Sequence, residues 1–341
     1  MRNPKAGWTR IFQYLIGLLV WCVLIGVIAL GFYLGYYTLP LTGENTAVET
    51  VVTIPTGMST TEIGLMLHAH ELVRSSDAFA LMSRVLGVDG ALMAGNYNLS
   101  PSMNLLEIIR RLREGEVVTY RVTIPEGANI REIAAILSSR GLVDEERFIE
   151  LASDSRLVFG DDFPFEKPIE SLEGYLYPDT YLFTDSTEEM LIKRMVDQFI
   201  KTVLPVVGST DSEYTIHEIV TIASIVEKEI IYHDERALVA AVYHNRLKQG
   251  MRLQADPTIQ YILDRPVSRL LYSHLQIESP YNTYRNDGLP PGPIGNPGVL
   301  SIEAALNPAQ VDYLFFVARG DGRHHFSKTF SEHVAARRRL Q

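Results

Sequence analysis

The chain of 341 residues is poor in cysteine and has no surplus of basic residues. Its one cysteine, Cys22, cannot form an intrachain disulfide, and no cysteine-based zinc site is available. The 41 acidic residues outnumber 31 basic ones, which argues against general nucleic-acid binding because phosphate neutralisation needs surplus Lys and Arg. With 46% hydrophobic and 21% charged residues, the chain has the composition of a globular protein rather than a disordered one.

Charged residues are also missing between Arg10 and Glu44. Within this stretch, residues 11–36 are apolar enough and numerous enough to cross a bilayer as one helix. Only basic residues precede the segment, so the positive-inside rule predicts a cytoplasmic tail over 1–10 and an extracytoplasmic remainder. A cleaved signal peptide and a buried core helix are the alternatives, but the run is longer than an ordinary signal-peptide core, and no convincing cleavage site precedes Pro40.

Two segments of the chain match one another at an offset of 70 positions. VTIPTG at 52–57 corresponds to VTIPEG at 122–127, and the similarity extends over 51–73 and 121–143. Each copy has a β-rich run, a Pro-x-Gly turn and apolar residues at helical spacing, which predicts a strand, a turn and a helix. This order is typical of LysM-like modules that bind amino-sugar polymers, and equally of any small βα unit. We therefore predict a LysM-like region over 48–150, with an unrelated βα unit as the alternative.

Local patterns predict four further elements. Residues 94–99 have the pattern of a strand, and residues 105–112 that of a helix that Gly115 closes. Longer helical patterns occupy 187–204 and 215–230.

The predicted helix at 215–230 carries two carboxylates on a mostly apolar surface. On a helical wheel Glu227 projects between Val220 and Ala223, and Glu229 projects on the other flank. Apolar surroundings raise the pKa of a carboxyl group, as a general acid working near neutral pH requires.

Neighbouring side chains distinguish the two carboxylates. The small residues Ala223 and Ser224 leave room for a ligand beside Glu227, whereas bulkier isoleucines flank Glu229. The pattern favours Glu227 as the catalytic acid, with Glu229 and Ser224 in supporting positions. The alternative is that both carboxylates are salt-bridged at the edge of the core, as acids in such positions usually are.

Two other classes of enzyme fit the sequence less well. His217 and Glu218 begin an HExxH pattern, but Thr221 occupies the position of the second histidine, so a metal-dependent peptidase is disfavoured and no metal site is predicted. No Ser-x-x-Lys occurs, and Ser224 is followed at the third position by Glu227, which disfavours a penicillin-binding-type serine enzyme. A non-enzymatic, membrane-anchored scaffold that binds peptidoglycan is the second class of alternative.

A series of sequence blocks follows in a fixed order. They are ASIVEKE at 223–229, NRL at 245–247, GMRLQADPT at 250–258, YNTY at 281–284, GLPPGPI at 288–294, NPG at 296–298, AALNP at 304–308, YLFFV at 313–317 and HFS at 325–327. In this order the blocks resemble the endolytic murein transglycosylases of the MltG/YceG-like family. With the anchor and the repeat, the resemblance covers nearly the whole chain.

The resemblance implies an α+β protein with a single N-terminal transmembrane helix, a LysM-like βα region and a YceG-like α+β catalytic domain over 165–341. It implies a lyase that needs no cofactor and cleaves the MurNAc–GlcNAc bond of peptidoglycan strands without water, leaving 1,6-anhydromuramoyl ends. One glutamate acts as general acid and then as base, and it falls on Glu227. The family also implies endolytic action on nascent strands that terminates their elongation, a catalytic domain outside the cytoplasmic (inner) membrane, and contact with peptidoglycan synthases of the penicillin-binding class.

Further polar residues within these blocks are predicted to position the sugar. The alternative for each of them is a role in capping a helix or bracing a loop. The Pro/Gly-rich run 288–298 is predicted to be an ordered loop that walls the cleft or serves as a connector. The predicted substrate-binding residues are Gln254, Asp256, Thr258, Asn282, Thr283 and Tyr284.

Overall fold

A computed structural model gives the fold of the chain, and it contains two compact units, Met1–Tyr120 and Arg121–Gln341. The second copy of the sequence repeat therefore lies in the second unit, apart from the first copy. LysM-like character is not confirmed, and the predicted domain boundaries stay predictions. The residues that the structure describes are 5–43, 48–165, 167–184, 187–208, 212–263 and 265–340.

The predicted N-terminal apolar helix is confirmed, and it is α1 (Lys5–Thr38). Its part from Leu15 to Thr38 is long and apolar enough to cross a membrane, and none of it is buried within the protein. Such exposure suits a lipid-facing helix, because a core helix of this composition would be covered by other side chains. The first four residues of the predicted cytoplasmic tail, and the first acid beyond the helix, Glu44, lie outside the described residues.

The rest of the first unit is a small α+β module around an apolar core. β1 and β2 pair in antiparallel fashion, with Val52 opposite Tyr97, and the helices cover this hairpin with residues such as Leu67, Phe79 and Ile108. Side-chain caps start all three of these helices, and Gly115, at φ 66°, ends the last one. The elements are β1 (Thr50–Ile54), α2 (Thr60–Ala69), α3 (Ser76–Val85), β2 (Gly95–Leu99) and α4 (Leu105–Glu114).

The second unit, with the strand that leads into it, contains the remaining elements. Among them are two further two-stranded pairs, of β3 with β4 and of β5 with β6. In chain order the elements are β3 (Tyr120–Thr123), α5 (Ile130–Ser138), α6 (Glu145–Ser153), α7 (Arg156–Phe159), β4 (Thr180–Phe183), α8 (Glu188–Gly208), α9 (Ile216–Glu229), α10 (Arg236–Lys248), α11 (Asp256–Ile262), α12 (Val299–Leu306), β5 (Phe315–Ala318), β6 (His324–Ser327) and α13 (Phe330–Leu340).

Helix α9 packs against α10, α11 and α12, and its buried side chains share one apolar core with Phe199 and Val203 of α8. Every residue from Ile219 to Val226 is buried, so the helix has no solvent face over more than two turns. The polar positions Thr221 and Ser224 fit because their hydroxyls donate to the carbonyls of His217 and Thr221, at 2.8 and 2.7 Å. The two carboxylates at the C-terminal end of α9 therefore emerge from the core itself.

Candidate active site

Glu229, the last residue of α9, is positioned by a buried tyrosine. The Tyr243 hydroxyl on α10 donates to Glu229 Oε1 at 2.8 Å, and Tyr243 is 2% exposed. Burial raises the pKa of Glu229 to about 7, and the hydrogen bond from Tyr243 opposes this shift only in part. The carboxyl group therefore changes its protonation state near neutral pH, as a general acid and base must.

Glu229 lines a cavity of about 340 Å³, which we call the proline cavity. Its walls include Pro257 and Pro266, the Tyr261 ring, and Ile294 from the Pro/Gly-rich loop. The second copy of the repeat contributes as well, because the cap residues that start α5 and the lysine between the two carboxylates line the same cavity. These are Asn129, Glu132 and Lys228, and the Lys228 ammonium lies 3.2 Å from the Glu132 carboxylate.

Glu229 also lines a second cavity of about 470 Å³, which we call the phenylalanine cavity. Phe315, Phe316 and Phe330 form one wall. The two cavities share Glu229 and Asp256, so these two side chains lie where the cavities adjoin. A carboxyl group with space on both sides has the placement that acid catalysis on a polymer requires.

Glu227 has a different environment from the one that the sequence indicated. Arg236 Nη2 lies 2.8 Å from Glu227 Oε1, and both side chains are almost fully buried, at 6% and 7% exposure. The Gly298 N–H, at the start of α12, donates to Glu227 Oε2 at 3.1 Å. A guanidinium and a backbone N–H thus both bind this carboxylate, which is the arrangement of a structural ion pair. Glu227 does not line either of the two cavities described above.

Arg236 holds a second carboxylate, that of Glu126, which belongs to the VTIPEG turn. Their closest atoms are 3.5 Å apart. Burial, followed by the negative charge of Glu227, raises the pKa of Glu126. Arg236 Nε also donates to the Ser301 hydroxyl at 2.9 Å, and its Nη1 contacts His233 Nδ1. One guanidinium thus ties together the turn of the second repeat copy, the end of α9 and the start of α12.

A fourth carboxyl group, Glu173, is hydrogen-bonded to a residue that lines the proline cavity. It is 2% exposed, and its oxygens accept hydrogen bonds from the Ile130 N–H at 3.2 and 3.3 Å, from Asn296 Nδ2 at 3.2 Å and from the Tyr261 hydroxyl at 3.2 Å. Burial raises the pKa of Glu173 to about 7, although the Ile130 N–H and the Tyr261 hydroxyl act in the opposite direction. Because Tyr261 lines the cavity, Glu173 fixes one of its walls.

The predicted substrate-binding residues fall into two groups. Gln254, Asp256 and Tyr284 line the phenylalanine cavity, and the Tyr284 hydroxyl contacts Asp256 Oδ1. Gln254 has a left-handed backbone with φ 46°, an uncommon conformation for a residue other than glycine, and its N–H donates to the Thr283 carbonyl at 3.1 Å.

The other three are buried and bonded to the protein. The Thr258 and Thr283 hydroxyls are 2.9 Å apart, and Thr283 also accepts from the Ala255 N–H at 3.0 Å. Asn282 Nδ2 donates to two backbone carbonyls, at 3.1 and 2.7 Å. These three residues brace the loops that carry the cavity wall, as the alternative prediction for them allowed.

Ser224 and His217 also serve the structure around the site. The Ser224 hydroxyl accepts from the Ile294 N–H at 3.0 Å and is fully buried, so it fixes the Pro/Gly-rich loop rather than leaving room for a ligand. Both ring nitrogens of His217 are in contacts, with the Tyr175 hydroxyl at 2.7 Å and the Pro291 carbonyl at 2.8 Å. Within the described ranges, no group of three or more His, Cys, Asp or Glu side chains is placed to hold a metal ion.

Sequence reasoning missed three residues that shape the site: Tyr243, Arg236 and Glu173. Glu173 was visible in the tyrosine-rich run LEGYLYPDTY at 172–181, where an acid directly beside apolar and aromatic residues was the available signal. Arg236 and Tyr243 had no local signal, because they lie on α10 and contact α9 only through the tertiary fold.

Known proteins are similar to this chain over most of its length. The model of the YceG-like family matches residues 52–339. A protein of Bacillus subtilis named endolytic murein transglycosylase is 36% identical over 302 residues, which cover 84% of this chain and 83% of that protein. A protein of the same name from Streptococcus pneumoniae is 30% identical over 346 residues, covering 91% of this chain but 62% of the longer pneumococcal protein.

A solved structure is similar as well. The crystal structure of a YceG-like protein from Listeria monocytogenes matches with a TM-score of 0.58 and 35% sequence identity, covering 85% of this chain and 100% of that one.

Proposed function

The chain belongs to the YceG-like family, and from that premise we propose that it is a membrane-anchored lytic transglycosylase of peptidoglycan. It cleaves the MurNAc–GlcNAc bond of glycan strands without water and leaves 1,6-anhydromuramoyl ends. The relatives named endolytic murein transglycosylase support this reaction class. The main structural observation in support of the proposal is that the Glu229 carboxyl group lines two adjoining cavities and has a pKa raised to about 7.

In the proposed reaction one carboxyl group serves both steps. Protonated Glu229 donates its proton to the glycosidic oxygen as the bond to the anomeric carbon breaks, which releases the neutral GlcNAc hydroxyl. The resulting carboxylate then takes the proton of the muramoyl 6-hydroxyl, whose oxygen bonds to the anomeric carbon. Because this nucleophile belongs to the substrate, its high effective concentration replaces an activated water, and the carboxylate pair of ordinary glycosidases is not required.

Glu227, the residue that the sequence favoured, is the rival candidate for this role. Its carboxylate is hydrogen-bonded to Arg236 and Gly298 and lines neither cavity, whereas Glu229 lines both and has a pKa suited to donation. The geometry therefore supports Glu229 as acid and base, and Glu227 as the residue that positions Arg236. Asp256, Gln254 and Tyr284 line the phenylalanine cavity beside Glu229 and are the proposed sugar contacts.

The pH dependence of the rate follows from the raised pKa of Glu229. Since only the protonated carboxyl can start the reaction, we expect kcat/KM to fall as the pH rises above about 7. The profile is measured with the full chain in detergent micelles and soluble glycan strands. A rate that stays constant well above this pH argues against Glu229 as the acid.

Product analysis tests the reaction class. The full chain in detergent is incubated with purified glycan strands, and new ends are identified by mass spectrometry. The proposal predicts anhydro ends, which are lighter by one water than the products of hydrolysis, and their loss in Glu229→Gln. Hydrolysed ends would contradict the transglycosylase mechanism, and binding without new ends would favour the non-enzymatic scaffold. Loss of activity on chelation would favour a metal-dependent enzyme.

We propose further that α1 is an uncleaved single-pass anchor in the cytoplasmic membrane, with the remainder of the chain outside. Protection of the N-terminus and digestion of the remainder by protease added outside spheroplasts test this orientation. The relatives' name supports endolytic cutting, and we propose nascent strands as the substrate and peptidoglycan synthases as neighbours. Strand lengths that increase when the protein is depleted, and cross-linking to penicillin-binding proteins, test these two points.

A further inference from the structure

One part of the phenylalanine cavity plays no role in the proposed proton transfers. His333 and Arg337 of α13 line it together with Arg246 of α10. Burial, and then the positive charges of Arg246 and Arg337, lower the pKa of His333, so the three side chains lie close enough to interact electrostatically. They form a cationic group, which we call the basic arm, within the cavity that Glu229 also lines.

The basic arm has a polar atom whose hydrogen-bonding capacity is unused. His333 Nδ1 is buried, and it has no hydrogen-bond partner among the residues that the structure describes. The ring lies 5.5 Å from the Phe315 ring and 6.3 Å from the Phe330 ring, measured between centroids. A buried nitrogen that lacks a hydrogen-bond partner costs free energy of folding. A ligand that forms a hydrogen bond with this nitrogen would recover that cost.

Arg246 makes the charge of the arm a fixed feature. Its Nε donates to the Leu314 carbonyl at 2.7 Å, one Nη donates to the Leu253 carbonyl at 2.8 Å, and the guanidinium lies over the Phe315 ring at 5.2 Å. These partners are neutral and orient the guanidinium, and the Glu229 carboxyl group in the same cavity also acts on its charge electrostatically. Burial lowers the pKa of Arg246, but an arginine keeps its charge at physiological pH.

We propose that the basic arm binds a carboxylate of the peptide stem on a muramoyl residue held next to Glu229. This inference rests on the proposed function, and it names the part of the substrate that this side of the site selects. In a glycan strand the sugar rings are uncharged, and the negative charge is carried by the stems on the muramoyl lactyl groups. A cationic arm with an aromatic wall is suited to a carboxylate on a short peptide, and the uncharged rings give it nothing to neutralise.

The test is a comparison of two substrates with the full chain in detergent: strands that carry stems, and stripped strands. The stripped strands are made by removing the stems with an amidase and converting the lactyl carboxylates that it leaves into neutral amides. Arg337→Gln removes one charge of the arm, and Arg338→Gln makes the same change one position along α13 at a residue that does not line the cavity. We expect R337Q to raise KM for stem-bearing strands roughly three- to tenfold more than KM for stripped strands, with little change in kcat. R338Q should leave both values as in the wild type.

His333→Phe provides a second and independent variant. It keeps an aromatic ring of similar shape and removes the unpartnered nitrogen, so the fold should not suffer. We expect the preference for stem-bearing strands to decrease in H333F as well. Unchanged KM ratios in both R337Q and H333F, or equal losses on both substrates, would overturn the inference.

The two proposals fail in different ways. If the wild type produces no anhydro ends from either substrate, the transglycosylase function itself is wrong. If the wild type cuts both substrates with the same KM and R337Q behaves like R338Q, the reaction stands and only the assignment of the basic arm is lost.

Discussion

The two units of the protein differ in what their cores contain. Among the described residues of the first unit, the buried polar side chains are hydroxyls: Thr60, Ser83 and Ser100. In the second unit, buried charged or titratable groups surround α9. They include Glu173, His217, Glu235, Arg236, His244 and Arg246. Because a buried charge costs free energy unless it is paired, a core with so many of them indicates a site rather than a scaffold.

The two copies of the repeat show how this difference arises from related sequences. In the first copy the turn is Thr56-Gly57, and a Cβ atom built on Gly57 would meet nothing within 4 Å. In the second copy the turn is Glu126-Gly127, and its carboxylate pairs with Arg236. The Gly127 N–H also donates to the Asn296 carbonyl at 2.7 Å. The glutamate that stands in place of threonine in the second copy therefore links this turn to Arg236 and, through Arg236, to the end of α9.

The largest expected effect on stability comes from removing the positive charge of Arg236, which pairs with Glu126 of the second copy. Arg236→Gln leaves the almost fully buried Glu227 with the Gly298 N–H as its remaining hydrogen-bond partner among the described residues, so we expect the unfolding free energy to fall by about 3–5 kcal/mol. Arg110→Gln in the first unit is the control. Arg110 pairs with Glu114 and Glu116 on the surface, and its loss should not be measurable. Denaturant unfolding of the full chain gives both values.

A double variant sharpens the same comparison. If the cost of Arg236→Gln comes from an uncompensated carboxylate, Glu227→Gln added to it should restore part of the lost stability. If the two changes in unfolding free energy are strictly additive, the interaction between Arg236 and Glu227 does not contribute to stability.

The next effect concerns the pH dependence of stability, which we assign to the second unit. Glu173 has a pKa of about 7 in the fold against 4.5 for the free group, so the fold favours its neutral form. The contribution is fully present below about pH 4.5 and is lost as the pH rises through about 7, a change of roughly 3 kcal/mol. Glu173→Gln should remove this part of the decline. A decline as steep in E173Q as in the wild type would exclude Glu173 as its source.

The smallest effect compares the turn glycines of the two copies. Gly57 and Gly127 both have left-handed backbones, at φ 84° and 78°, so alanine should cost about 1–2 kcal/mol of stability at either position. Only at Gly127 would the new Cβ press on Glu227, whose Cγ is 3.3 Å away. We therefore expect G127A, but not G57A, to lower kcat/KM, by roughly two- to tenfold. Equal kcat/KM values for G127A and G57A would show that the turn of the second copy does not affect catalysis.

Local patterns were sufficient to predict about half of the helices and strands among the described residues. The helix predicted over 215–230 is Ile216–Glu229, the strand predicted over 94–99 is Gly95–Leu99, and Gly115 ends its helix as expected. Periodicity and end signals determine such elements, and both are written in consecutive residues. The sequence also directed attention to the EKE residues and to three side chains that line the phenylalanine cavity.

The separate roles of Glu227 and Glu229 could not be predicted from local sequence patterns. A helical wheel places Glu227 among apolar neighbours on its own helix, but Arg236 reaches it from α10. The same wheel assigns a polar face to Thr221 and Ser224, which the fold buries by bonding their hydroxyls to the backbone. The partners of a carboxylate come from other elements, and spacing within one helix does not report them.

The most direct test of the account is the turnover of Glu229→Gln beside Glu227→Gln in the full chain, measured as anhydro ends released from glycan strands. If Glu229 is the acid and base, E229Q loses activity by about 100- to 10,000-fold while E227Q keeps a much larger share. Both variants are checked for folding by circular dichroism. An inactive E227Q beside an active E229Q would contradict the account and return the catalytic role to Glu227.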